Sequence, residues 1–154
     1  MVRRRVERRS AVHVPSWPSL DDSERPRVLI EHPDPAAQLV LAEAFQDHGY
    51  DVRTCGGPVA QGRSSVTCPL VEHGSCPAVD GADLVVTSLQ VNQGVEGEIV
   101  TRLIEDPTSP PVLLEATSWQ MSQVQLRAPV AGRCYPFGSP STVVAAAEAM
   151  LPAS

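Results

Sequence analysis

Lysine is absent from this chain. All 12 basic residues among its 154 positions are arginine. A protein without lysine has no P-loop lysine, no Schiff-base lysine and no lysine general base, so the enzyme classes that depend on those groups are excluded. No other enzyme signature takes their place, and we expect a protein that is not an enzyme.

Aromatic residues and long apolar runs are also scarce. Aromatic residues make up 4% of the chain, and no uncharged apolar stretch approaches the ~20 residues that a membrane-spanning helix needs. The first arginines are not followed by the apolar segment of a secretory signal. Hydrophobic residues at 42% and charged residues at 19% are typical of a globular domain with its own core. These features predict a soluble cytoplasmic protein with no membrane partner.

Positive charge is concentrated at one end of an acidic chain. The formal net charge is −6, whereas residues 1–10 hold five arginines and one glutamate. Residues 1–26 contain three prolines and no helical or strand period, which predicts a flexible arginine-rich arm before a domain at 27–151. The acidic balance argues against nucleic-acid binding by the domain. Only the arm has the charge to meet an acidic partner such as RNA, and a solvated tail is the simpler interpretation.

Short apolar runs predict the strands of the domain. The runs at 28–30, 84–86 and 112–114 are continuous, as in strands that are covered on both faces. Residues 50–54 and 130–134 are two further strand candidates. The sequence therefore predicts five strands.

Helical patterns lie between these strands. The clearest one follows Asp34 and Pro35 and continues to Gly49, with a stripe at Ala37, Val40, Leu41, Ala44 and Phe45. Further helices are predicted over 99–104, over 118–126 and from 139 onward. The alternation of strands and helices predicts an α/β domain with a parallel sheet. Only the second crossover departs from this alternation. Residues 55–81 hold five glycines and three prolines, which predict a loop or a very short helix.

Three of the four cysteines fall in this irregular second crossover. Cys55, Cys68 and Cys76 lie within 22 residues, and His73 lies between the last two. A metal ion, an iron–sulfur cluster or haem bound by these four side chains would order a glycine-rich segment, because the free energy of binding becomes free energy of folding. Cys134 is an alternative fourth ligand.

The spacing of these cysteines is not that of a standard metal site. C-x12-C-x7-C lacks the C-x2-C pairs of zinc and ferredoxin sites, and the two Cys-Pro dipeptides resemble short haem-regulatory motifs. Reduced thiols, or a redox-labile pair formed by Cys68 and Cys76, are the alternative. We therefore expect no cofactor, and we keep zinc, an iron–sulfur cluster or haem as the alternative.

The order of these elements resembles the receiver domain of two-component response regulators over residues 27–151. RVLIEHPDPAAQLVLAEAFQDHGYDV resembles the first strand and helix of that family, ADLVVTSLQ the third strand and PPVLLEATS the fourth. RCYPFGSPSTVVAAAEAML resembles the fifth strand and the last helix. The resemblance implies a flavodoxin-like fold, in which five parallel strands are covered by helices on both faces.

The resemblance also implies a phosphorylation pocket, and its chemical groups are replaced here. The pocket residues are His32, Asp34, Ser88, Thr117, Tyr135 and Pro136. The magnesium-binding acidic pair of the family aligns with His32 and Pro33, its phosphoacceptor aspartate with Ser88, and its lysine with Tyr135. Magnesium prefers oxygen ligands, and a serine without a nearby base is a poorer nucleophile than a carboxylate. We therefore interpret the domain as a pseudo-receiver, and His32 as a hydrogen-bonded filler and not a ligand.

Two functions remain open at this point. The first is a regulatory interaction module, in which the last helices, at about 119–151, contact a protein partner or a second copy. The second is a redox or metal sensor that uses the cysteines of the second crossover. An enzymatic function is the least favoured of the three that we considered.

Overall fold

A single parallel sheet organises the computed structural model of the chain. The structure describes Pro15, Trp17 and residues 25–57, 68–88, 94–115, 134–137 and 140–151. The strands are β1 (Arg27–Glu31), β2 (Asp51–Cys55), β3 (Leu84–Thr87), β4 (Val112–Glu115) and β5 (Cys134–Phe137). Their order in the sheet is β2-β1-β3-β4-β5, and every neighbouring pair is parallel. This is the flavodoxin-like order, so the predicted fold class is confirmed.

Helices connect the strands. They are α1 (Pro35–Asp47), α2 (Pro69–His73), α3 (Pro77–Asp80), α4 (Gly94–Glu105) and α5 (Pro140–Met150). The second crossover thus contains two short helices where the sequence predicts a loop or one very short helix. The helix predicted over 118–126 lies outside the described residues. Because β5 begins at Cys134, it lies later in the chain than the 130–134 that we predicted.

The first helix begins where the sequence predicts it. Asp34 caps it, since its Oδ1 accepts a hydrogen bond of 2.9 Å from the backbone N–H of Ala36, and Pro35 occupies the first turn. The helix ends before Gly49, whose φ of +87° is left-handed. Leu41 and Phe45 are buried as predicted, but Val40 is 51% exposed, so its place in the predicted apolar stripe is wrong.

A separate hydrophobic core covers each face of the sheet. One core packs α1 and α5 against Ile30 and Val86, and the other packs α2, α3 and α4 against Leu29 and Val85. Successive residues of a strand point to opposite faces, so the α2–α4 face receives Leu29 and Glu31 from β1. No helix in the described ranges is long and apolar enough to span a bilayer.

One residue of the predicted arm packs on the domain. Trp17 donates a 2.8 Å hydrogen bond from Nε1 to the carbonyl oxygen of Ala78. The guanidinium carbons of Arg27 and Arg53 lie 5.6 and 5.2 Å from the centre of a Trp17 ring, which is cation–π range. Gly81 leaves room for the indole, because a Cβ there would lie 2.5 Å from its Cδ1. Trp17 thus joins the chain before residue 27 to the α2–α4 face.

Candidate functional site

The carboxyl edge of the sheet carries the residues that the sequence singles out. Parallel strands end at one edge, and ligands of open α/β sheets bind in the crevice there. The register places Cys55, Glu31, Thr87, Leu114 and Pro136 in one row across this edge. The loops that follow the strands extend beyond that row.

The loop after β1 holds one carboxylate, and that carboxylate accepts a hydrogen bond from the backbone of α1. Asp34 caps α1 through its side chain, and its backbone N–H donates a 3.0 Å hydrogen bond to Nδ1 of His32. The backbone N–H of His32 donates to the carbonyl oxygen of Cys55 at 3.0 Å, and that of Ser88 donates to the carbonyl oxygen of Glu31 at 2.9 Å. The imidazole therefore stabilises the turn of this loop, and the interpretation of His32 as a filler remains a prediction.

A buried carboxyl group, that of Glu31, directly precedes this loop and lies on the α2–α4 face of the sheet. Glu31 is 6% exposed, and its Oε1 has no hydrogen-bond partner within the part of the chain that the structure describes. Burial raises the pKa of Glu31 from 4.5 to about 7, because the carboxylate loses its hydration. Glu31 is thus a buried acid with an uncompensated oxygen.

Three thiols surround the same region. Cys55 lies opposite Glu31 in the register of β1 and β2, while Cys68 and Cys76 directly precede α2 and α3. All three contact the core on the α2–α4 face. Burial and then the charge of Glu31 raise the pKa of Cys55 to about 11, and the charges of Cys68 and Cys76 add to this effect. We call Glu31, Cys55, Cys68 and Cys76 the thiol–carboxyl cluster.

The other two thiols have the same surroundings. Burial raises the pKa values of Cys68 and Cys76, and the charge of Glu31 contributes in both cases. Backbone N–H groups in the first turns of α2 and α3 act in the opposite direction and lower both pKa values. The four side chains are therefore close enough for their charges to interact.

Two residues considered as ligands lie away from this cluster. The side chain of His73 is 72% exposed, and its Nε2 lies 3.8 Å from the carboxylate of Glu72. Cys134 begins β5 opposite Val112, three strand spacings from β1, which is roughly 14 Å. Of the predicted set, the structure thus brings together Cys55, Cys68 and Cys76 only. Across the described segments, no group of three or more cysteine, histidine, aspartate or glutamate side chains is arranged to hold a metal ion.

Comparison with known proteins identifies the fold. No protein-family profile and no curated protein matches the chain. Among solved structures, a receiver domain protein of Bacillus halodurans aligns with a TM-score of 0.58 and 17% identity over 84% of this chain and 100% of its own. The chemotaxis response regulator CheY4 of Vibrio cholerae aligns with a TM-score of 0.54 and 16% identity over 82% and 99%. The fold is that of a receiver domain.

A third solved structure shares this fold. A putative pilus assembly-related protein of Burkholderia pseudomallei aligns with a TM-score of 0.55 and 18% identity, over 81% of this chain and 88% of its own. Identities of this size establish the fold and leave the function to be argued from the residues.

The receiver fold brings part of the predicted pocket together. His32 and Ser88 follow the neighbouring strands β1 and β3, and the backbone of Tyr135 and Pro136 lies in β5 at the same end of the sheet. Thr117 lies outside the described residues, as do Trp119, Met121 and Leu126 of the predicted interaction surface. The pocket assignment of these residues remains a prediction.

Sequence reasoning missed Glu31. Its signal is present in the chain, because a glutamate ends the continuous apolar run of Val28, Leu29 and Ile30. A strand period of two places that glutamate on the face of Leu29, and a strand covered on both faces buries it. The acidic pair of the family aligns with the next two positions, so the resemblance assigns no role to Glu31.

Proposed function

We propose that this protein is a pseudo-receiver, a regulatory module that acts through protein contacts and does not accept a phosphoryl group. The observation that carries this proposal is Ser88. It directly follows β3 in a receiver fold, where the resemblance implies the aspartate that becomes phosphorylated.

The surrounding groups support the same conclusion. Formation of an aspartyl phosphate requires a carboxylate nucleophile, and a serine hydroxyl needs a base to replace it. The nearest carboxylate in the loop, Asp34, caps α1. Glu31 lies on the opposite face with the thiols, and the chain contains no lysine. Neither the nucleophile nor the cationic side chain of receiver chemistry is therefore available at these positions.

A regulatory role is supported by the fold and by the lack of an enzyme signature. One of the solved structures with this fold is a chemotaxis response regulator. In α5, Val143 and Ala147 are buried in the core, whereas Ala145, Glu148 and Ala149 are on the exposed face. We propose that this face and the preceding segment contact a protein partner or a second copy, in the cytoplasm.

Phosphorylation by a small donor tests the proposal. We expect incubation with acetyl phosphate and Mg²⁺ to leave the intact mass of the chain unchanged, while a receiver domain that keeps its aspartate gains one phosphate. A stable adduct of one phosphate on the wild-type chain would overturn the proposal.

A variant makes this test sharper. Ser88→Asp restores the nucleophile alone, and we expect it to remain unphosphorylated because the acidic pair and the lysine are still missing. If Ser88→Asp takes up phosphate at the rate of a competent receiver, the pocket has kept its phosphorylation machinery and the proposal is wrong.

A further inference from the structure

We propose that Cys55, Cys68, Cys76 and Glu31 form a zinc site on the α2–α4 face of the sheet, apart from the degenerate phosphorylation pocket. The site lies at the carboxyl ends of β1 and β2, on the face of the sheet that α2 and α3 cover. The sequence suggests His73 as the fourth ligand, but His73 is exposed, and the buried Glu31 takes its place in this proposal.

The backbone brings the four residues to one face of the sheet. Glu31 and Cys55 are register partners in the sheet, so their side chains lie side by side on one face. Leu70 anchors α2 and Val79 anchors α3 in the core, at 5% and 4% exposure. Each of those helices begins directly after a cysteine. The same packing that buries the crossover therefore delivers two more thiols to the carboxyl group.

Glu31 is the observation that points to a ligand. A buried polar atom is normally hydrogen-bonded, and one that is not is unfavourable unless another group compensates it. Oε1 of Glu31 has no such partner among the described residues, although its side chain is buried beside three thiols. A cation bound by this oxygen would compensate it.

The donor set suits zinc. Zn²⁺ binds four ligands in a tetrahedron and accepts cysteine sulfur and carboxylate oxygen, whereas magnesium and calcium prefer oxygen ligands only. Zinc also reverses the electrostatics of the cluster, because the metal displaces the protons of its ligands. Three thiolates and one carboxylate, which repel one another in the absence of a cation, would each be attracted to the ion.

Zinc binding here requires side-chain rotation. Within the described residues no group of three ligating side chains is arranged to hold a metal ion, so the proposed binding includes a change of side-chain rotamer in the cluster. Binding is then coupled to a local rearrangement of the crossover, and the metal should stabilise the fold against unfolding.

Metal titration of the full-length chain tests this inference. The protein is reduced, freed of metal with a chelator, and titrated with Zn²⁺ and with Co²⁺ as a spectroscopic probe. We expect one ion per chain, a thiolate-to-cobalt charge-transfer band and a higher melting temperature with zinc. Glu31→Gln and Cys68→Ser should each weaken zinc binding by at least about 10-fold, the smallest loss that even an outer-shell change causes.

Two matched variants act as controls. His73→Ala removes the histidine of the sequence-based set, and Cys134→Ser removes the cysteine on the far edge of the sheet. Both should bind zinc as tightly as the wild-type chain. Glu31→Gln also separates a ligand role from a folding defect, because in metal-free protein it should unfold no more easily than wild type while its zinc affinity falls.

Several results would overturn the inference. They are the absence of one-to-one zinc binding by the reduced chain, a Glu31→Gln variant with wild-type affinity, and a His73→Ala variant as weak as Cys68→Ser. Visible absorbance of an iron–sulfur cluster or haem after anaerobic purification would also overturn the assignment to zinc. None of these results depends on whether Ser88 accepts phosphate, so this inference and the pseudo-receiver proposal can fail separately.

Discussion

Replacement of Glu31 by glutamine should stabilise the metal-free protein, and the gain should depend on pH. In the folded state burial raises the pKa of Glu31 from 4.5 to about 7. Between these two pH values the folded chain keeps a proton that the unfolded chain has released. The free energy of unfolding of the wild type therefore falls as the pH rises through this range, and it stays at the lower level above about pH 7.

The size of this effect follows from the shift in pKa. At 1.36 kcal/mol for each pKa unit, a shift from 4.5 to about 7 lowers the stability of the wild type by about 3 kcal/mol once the carboxyl group is ionised in both states. Glutamine has nearly the same shape and does not ionise. The variant should therefore match the wild type near pH 4.5 and exceed it by up to about 3 kcal/mol near pH 8.

Urea unfolding followed by circular dichroism, at a series of pH values and with a chelator present, measures this difference. The comparison between variant and wild type cancels the titration of distant groups. Glu43→Gln on the exposed surface of α1 is the matched control and should change the free energy of unfolding by less than about 0.5 kcal/mol. A stability difference that is constant with pH, or that grows as the pH falls, would refute the reasoning.

Three further predictions concern single contacts. Gly81→Ala, at a φ of −90° that suits alanine, should displace Trp17 and lower the free energy of unfolding by about 1–2 kcal/mol, and a Trp17→Ala background should abolish this loss in urea unfolding. Asp34→Ala removes the α1 cap and should lower the free energy of unfolding by about 1 kcal/mol. Asp34→Asn keeps a capping oxygen and should retain most of the stability of the wild type. Equal losses of stability in the two variants would contradict the capping role. Because its pKa is about 11 against an ordinary 9.0, Cys55 should be alkylated by iodoacetamide about 100-fold more slowly in the folded than in the unfolded chain, as peptide mass spectrometry would show.

The central strands β1, β3 and β4 could be predicted from the sequence because they are buried on both faces. Continuous apolar runs such as Leu84 to Val86 are typical of strands buried in this way, and they make the pattern easy to recognise. The start of α1 was equally clear, since Asp34 and Pro35 satisfy local backbone requirements that do not depend on the rest of the fold.

The second crossover could not be predicted, because its helices depend on tertiary contacts. α2 and α3 are five and four residues long, and isolated helices of that length are unstable in water. Burial of Leu70 and Val79 stabilises them, and neither residue is part of a helical stripe that a periodic pattern could reveal. The thiol–carboxyl cluster could not be predicted for the same reason, since it joins the end of β1 to residues from 24 to 45 positions later.

The geometry of β1 determines which of the two candidate sites receives a carboxyl group. The resemblance places the acidic pair of a receiver at His32 and Pro33, whereas the carboxyl group of this chain stands one residue earlier, at Glu31. A shift of one residue along a strand moves a side chain to the opposite face of the sheet. Under the pseudo-receiver proposal, a carboxyl group at the family's position would belong to the phosphorylation pocket, whereas the carboxyl group of Glu31 belongs to the face of the cysteines.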